Sequence, residues 1–135
     1  MVQITHEQLI EHAQGALIAQ ELADNFYVAD VGAALLTEDG EVFTGACIGG
    51  NLGICAELGA ARAMLSKTGP KVKAVVAVWR NEAGELHVIP PCGRCREFLR
   101  MLSQDNLEAD VILGKDHVVK LKDLLPFHGW YAEKV

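Results

Sequence analysis

The stretch from Val72 to Ser103 reads VKAVVAVW-RNEAGELHVI-PPCGRCREFLRMLS, and it decides the fold. Val72 to Trp79 is almost wholly apolar, the pattern of a central strand covered on both faces. Asn81 to Gly84 turns the chain, and Leu86 to Ile89 reads as a short strand. Pro90-Pro91 stops that strand. A helix follows from about Cys92 to Ser103, carrying Phe98, Leu99 and Leu102. A buried strand next to a helix is the unit of a layered α/β domain.

Toward the N-terminus, Cys55 opens a helical run to about Lys67, closed by Gly69-Pro70. Ala56, Gly59, Ala60 and Ala63 give it a small-residue face, suited to close packing or to a subunit contact. Gly49, Gly50 and Gly53 make the preceding stretch a loop. Val31 to Leu36 reads as a strand, Glu38-Asp39-Gly40 as a turn, and Glu41 to Ala46 as the return strand of a hairpin. Thr5 and Gln8 match a capping box, and Leu9, Ile10, Ala13 and Leu17 recur at helical spacing. They predict a first helix from about Thr5 to Ala23. Toward the C-terminus, Ala109 to Leu113 reads as a strand, and Leu121 to Leu125 as a short helix or turn ending at Pro126. The expectation is one three-layer α/β/α domain over residues 1–135 with a mixed sheet.

Composition narrows the function. Half of the residues are hydrophobic and 22% are charged, so a normal core needs no disulfide framework. The net charge is −6 and no run of Lys or Arg forms a basic stripe, which argues against a nucleic-acid polymer as partner. A small neutral or weakly cationic substrate fits better. The opening Met1-Val2-Gln3-Ile4-Thr5-His6 lacks a signal-peptide pattern, and no apolar run approaches a membrane span. The expected location is the cytoplasm, without membrane contact. There, Cys47, Cys55, Cys92 and Cys95 point to metal or catalysis rather than to disulfides.

Two motifs carry the chemistry. Cys55-Ala56-Glu57 and Pro91-Cys92-Gly93-Arg94-Cys95 each stand at a predicted helix start, where free N–H groups and the helix dipole favour thiolates. Brought together, Cys55, Cys92 and Cys95 would offer three soft ligands to one zinc ion. Three protein ligands leave a fourth position for water, the mark of a catalytic site. Glu57 lies close to the metal without being needed as a ligand, and is the candidate general acid and base.

A His or Cys followed by x-Glu, then Pro-Cys-x-x-Cys, is the pattern of zinc deaminases. The chain resembles the small cytidine deaminases, and within that family the members that deaminate blasticidin S. The matching stretches are Val31-Gly32-Ala33-Ala34-Leu35, Phe43-Thr44-Gly45, Cys55-Ala56-Glu57-Leu58, Pro91-Cys92-Gly93-Arg94-Cys95-Arg96 and Leu124-Leu125-Pro126. The resemblance implies a five-stranded sheet between helices and a homotetramer, or else a homodimer. It also implies hydrolytic exchange of the amino group on a cytosine-type ring for oxygen, with release of ammonia. The zinc would carry three thiolates and a formal negative charge, which a nearby cation should offset. The family often places Arg directly after the Glu. Here that residue is Leu58, and Arg94 is the replacement candidate, with Arg96 second.

Substrate recognition departs from the family. Its members follow the hairpin with an Asn-x-Glu pair that holds the ribose hydroxyls. Cys47 and Gly49 occupy those places here, and neither can make the same bonds to a sugar. Cys47, Gly49 and Ala56 are candidate substrate-lining residues, and Trp130 in the aromatic tail is a stacking candidate. The expected substrate is therefore a cytosine-type compound whose sugar, if any, is gripped differently. Three rivals stand beside this reading: a closed four-cysteine structural site using Cys47, a redox Cys-Gly-Arg-Cys, and a zinc-stabilised binding or interaction protein without turnover.

Overall fold

The computed structural model describes residues 3–17, 20–23, 26–49, 53–129 and 134–135, with backbone alone for 20–23 and 26–29. The first helix starts where Thr5 and Gln8 place it. The Gln8 N–H donates to Thr5 Oγ1 at 3.1 Å, and the Thr5 N–H donates to Gln8 Oε1 at 2.9 Å. This helix, α1 (His6–Gly15), stops well short of the expected Ala23. Gly15 is a poor helix former. The chain beyond it becomes strand β1 (Gln20–Ala23), which pairs antiparallel with the start of β2 (Phe26–Leu36). Inter-strand hydrogen bonding has overridden the helical spacing of Leu17.

The hairpin partner is β3 (Val42–Ile48). Helix α2 (Ala56–Leu65), strands β4 (Ala74–Arg80) and β5 (Leu86–Ile89), and helix α3 (Gly93–Leu102) follow. A 3₁₀ turn at Gln104–Glu108 leads to β6 (Asp110–Gly114) and β7 (His117–Lys120), and a second covers Leu121–Leu124.

The sheet is mixed: β4 and β6 run parallel, and the other pairs are antiparallel. It has seven strands among the described residues rather than five. The path β3-β2-β4-β6-β7 supplies the expected width. The two additions are short: β1 pairs with the start of β2, and β5 folds back on the last half of β4, from Ala77 to Arg80.

Alternation assigns the faces. Ala34, Leu36, Val76, Val78 and Ile112 meet Leu9 and Ala13 of α1. Their neighbours Leu35, Val75 and Val111 meet Ala60 and Met64 of α2 and Leu99 of α3. A helix layer on each side of the sheet makes the three-layer domain. Two glycines set the spacing. A Cβ at Gly32 would stand 2.3 Å from the Ala13 carbonyl oxygen, and one at Gly45 would stand 2.4 Å from the Ala60 nitrogen. The small face of α2 is thus used against β3 at Ala56, Gly59 and Ala60, whereas Ala63 is exposed. No helix among the described residues is long and apolar enough to cross a membrane.

Candidate active site

Two helices begin at cysteines. Cys55 precedes α2 and Cys92 precedes α3, both with extended backbone, and neither sulfur caps its own helix. The Cys55 end is anchored by a small bridge in which Ile48 and Ile54 exchange two backbone hydrogen bonds of 2.9 Å. The Cys92 end follows Pro90-Pro91, which ends β5 and sets the entry to α3. Cys95 lies within the first turn of α3 and is fully buried.

The sulfurs of Cys55, Cys92 and Cys95 all lie within 4.8 Å of one another, with Cys55 and Cys92 at 3.4 Å. Their environments differ. Burial pushes the Cys55 thiol up. Burial, reinforced by the Glu57 charge, raises Cys95 far more. At Cys92 burial also acts upward, but the nearby backbone N–H groups of Cys95 and Arg94 and the other thiols outweigh it and lower the group. The start of α3 thus favours charge on this sulfur without a capping hydrogen bond. Three thiolates cannot sit this close in a half-buried site without a cation. Sulfurs about 2.3 Å from a tetrahedral zinc stand about 3.8 Å apart, so this donor set fits zinc in type and spacing.

Glu57 is only 5% exposed, and burial raises its carboxyl against the lowering effect of its own backbone N–H and the Cys95 thiol. It does not belong to the ligating group. It lines a cavity of about 300 Å³ together with Cys55, Cys92, Cys47, Val31 and Ile89. A wider groove of about 610 Å³ beside α1, lined by Gln8, Glu11, His12 and Thr44, contains none of these sulfurs.

The remaining candidates fall in different places. Arg94 Nη1 donates to the Gly53 carbonyl at 2.8 Å, on the loop just before Cys55. Arg96 turns away, donating to the carbonyls of Pro91 at 2.8 Å and Leu124 at 3.4 Å. Ala56 lines the cavity and packs on Ala33 and Ala77. Gly49 follows the end of β3 and is half-buried. Trp130 lies outside the described residues. Cys47 is not brought to the ligating group, and its thiol donates to Asp30 Oδ1 at 2.9 Å. Asp30 had no signal in the sequence. Its place comes from an irregularity in strand pairing that local pattern does not encode.

Fold and site together define a layered α/β protein with three clustered thiols that could hold a metal at two helix starts, and a buried carboxylate on the cavity that Cys55 and Cys92 line. No family model matches the chain. A cytidine deaminase of Mycobacterium tuberculosis is 37% identical over 102 residues, which cover 71% of this chain and 69% of that protein. The crystal structure of a cytidine deaminase from Burkholderia pseudomallei matches with a TM-score of 0.71 and 32% identity, over 92% of this chain and 98% of that one. A cytidine deaminase from Mycobacterium leprae matches with a TM-score of 0.72 and 26% identity, over 92% and 99%. The chain belongs to the cytidine deaminase family.

Proposed function

We propose that this chain is a zinc-dependent hydrolase that deaminates a cytosine-type compound, exchanging its exocyclic amino group for oxygen and releasing ammonia. One observation carries the reading: two of three clustered sulfurs suited to zinc line one cavity together with a buried carboxylate outside the ligand set, and the third sulfur, Cys95, is buried beside them. Cys55, Cys92 and Cys95 hold the metal. When bound, zinc supplies the Lewis acidity that makes water a nucleophile near neutral pH.

Glu57 moves the proton. Its carboxylate takes one from the attacking water and gives it to the ring nitrogen, then carries the second from the added hydroxyl to the departing amine. Water adds to the amino-bearing carbon, the C–N bond breaks, and the products are a carbonyl and ammonia. Burial keeps bulk water from competing at Glu57. Arg94 offsets the excess negative charge of the thiolates. Its backbone N–H serves Cys92 while its guanidinium holds the loop before Cys55.

The acidic chain without a basic stripe supports a small-molecule substrate. Cys47 and Gly49 support a substrate related to blasticidin S or another modified cytosine rather than plain cytidine. The whole chain acts as one catalytic domain in the cytoplasm, and as a homotetramer, with a homodimer as the smaller alternative. Leu65 of α2 and Met101 of α3 are 41% and 69% exposed, which supports a covered face there in the assembly.

The test is ammonia release by zinc-loaded protein from cytidine, deoxycytidine, cytosine, 5-substituted cytosines and blasticidin S, each run beside Glu57→Gln. Release that depends on Glu57 is the expected result. Turnover of cytidine at ordinary enzyme rates, above all others, would sink the altered-substrate part. One zinc per chain with no release from any compound favours the zinc-stabilised binding protein instead.

A further inference from the structure

β2 and β3 pair in register from Leu36↔Val42 to Gly32↔Ala46, but the next pair is Val28↔Ile48. Between those pairs β2 advances by four residues while β3 advances by two. The surplus is a bulge in residues 29–31. A bulge breaks side-chain alternation and re-aims the residues within it. Here it places Asp30 against the neighbouring strand, where the Cys47 thiol donates to Asp30 Oδ1 at 2.9 Å. Cys47 itself lines the cavity that Glu57, Cys55 and Cys92 border.

This juxtaposition has a chemical consequence. The reacting carbon of a ligand must lie against Glu57 and the sulfurs. Whatever reaches Cys47 is therefore a part that does not react. The other cavity walls there, Val31, Ile48 and Ile89, offer apolar side chains. Asp30 is exposed and its carboxylate has acceptor positions beyond the one that Cys47 fills. A carboxylate accepts and does not donate, so it selects for donors.

Resting on the deaminase reading, we infer that Asp30 is a specificity-determining residue: held beside the cavity by the β2 bulge and Cys47, it accepts hydrogen bonds from a donor on the substituent of the cytosine-type ring. The donor is a hydroxyl or an ammonium group. Asp30 does not touch the reacting atoms, so it governs affinity and KM rather than kcat.

The experiment measures dissociation constants by calorimetry for cytidine, 1-(2-aminoethyl)cytosine and 1-methylcytosine, using zinc-loaded Glu57→Gln protein with and without Asp30→Ala. Ammonia release by the unmutated enzyme is followed in parallel. Hydrogen bonds to charged groups predict that Asp30→Ala weakens at least one donor-bearing compound by roughly ten- to a hundredfold, and leaves 1-methylcytosine within about twofold. Asp30→Asn separates the donors, because an amide oxygen still accepts from both but loses the charge that strengthens the bond to a cation, so the ammonium compound should lose more. An equal loss for all three compounds, or no loss for either donor-bearing one, overturns the inference. If none of the three binds, the inference is overturned; the deaminase reading is decided separately, and fails only if the wider panel that includes blasticidin S also releases no ammonia.

Discussion

Glu57 and Asn106 are both polar and both buried, at 5% and 0% exposure, yet they are held in opposite ways. Asn106 is satisfied on every side. Its Oδ1 accepts from the Val72 N–H at 2.8 Å, and its Nδ2 donates to the carbonyls of Pro70 at 2.9 Å and Leu99 at 2.8 Å. It ties the end of α3 to the segment entering β4. The Glu57 carboxylate, among the described residues, meets its own backbone N–H and the Cys95 thiol, and otherwise faces the cavity. One residue spends its hydrogen bonds on the fold. The other leaves its carboxylate on the cavity, where the proposed reaction would use it. Burial alone does not distinguish a structural polar group from a working one; the destination of its hydrogen bonds does.

Glu57 should show the largest effect, and on activity alone. Glu57→Gln keeps shape and size and removes the proton carrier. A general acid–base group contributes about 10²–10⁴-fold, so kcat for the preferred compound should fall by at least that range. Zinc content and the denaturant midpoint should not fall, since an amide costs less to bury than a charge. A variant that loses activity only in proportion to lost zinc or lost folded protein would make Glu57 structural.

Asn106→Ala should show the reverse. It removes three hydrogen bonds and leaves the Val72 N–H and the Pro70 and Leu99 carbonyls without those partners. At about 1–3 kcal/mol per orphaned group, with partial relaxation, the loss is about 3–5 kcal/mol of unfolding free energy. Urea denaturation measures it. The folded fraction should retain its kcat. A fall in kcat without a shift of the midpoint would erase the contrast with Glu57.

The two residues also differ in how readable they are. Glu57 stands out because Cys55, Cys92 and Cys95 flank it in a spacing that points to metal chemistry, and both helix starts carry local signals: Gly53 before one, Pro90-Pro91 before the other. Asn106 has no such signal. Its partners lie 34, 36 and 7 residues away, and only the packed chain brings them together. The same holds elsewhere. The capping box at Thr5 and Gln8 is local and was legible in full. Strand β1 was not, because Leu17 continues a helical spacing and only pairing with β2 makes Gln20–Ala23 extended. Strand β7 is a short run, His117–Lys120, whose strand character comes from β6 beside it. Asp30 depends on a bulge, which is a relation between two strands rather than a property of either. Local chemistry could be read from the sequence, whereas non-local pairing needed the structure.

Thr37 should show the smallest effect. Among the described residues it is the third buried polar one, 4% exposed, at the close of β2. Its Oγ1 accepts one hydrogen bond, from the Glu41 N–H at 3.1 Å, across the turn to β3. The Thr37 N–H and Glu41 carbonyl hold the turn independently at 2.9 Å. Thr37→Val preserves the branched shape and removes the acceptor. Glu41 is half-buried, so water can reach its N–H once the hydroxyl is gone. The expected loss is about 1 kcal/mol, that of a single net hydrogen bond, with kcat unchanged. If the stability effects scale with bonds to other segments, Asn106 should cost most, Thr37 about a third as much, and Glu57 nothing. A Thr37→Val loss as large as that of Asn106→Ala would mean that desolvation of the site, not the number of bonds, sets the cost. Glu57 would then need its own measured stability before its burial could be assigned to catalysis.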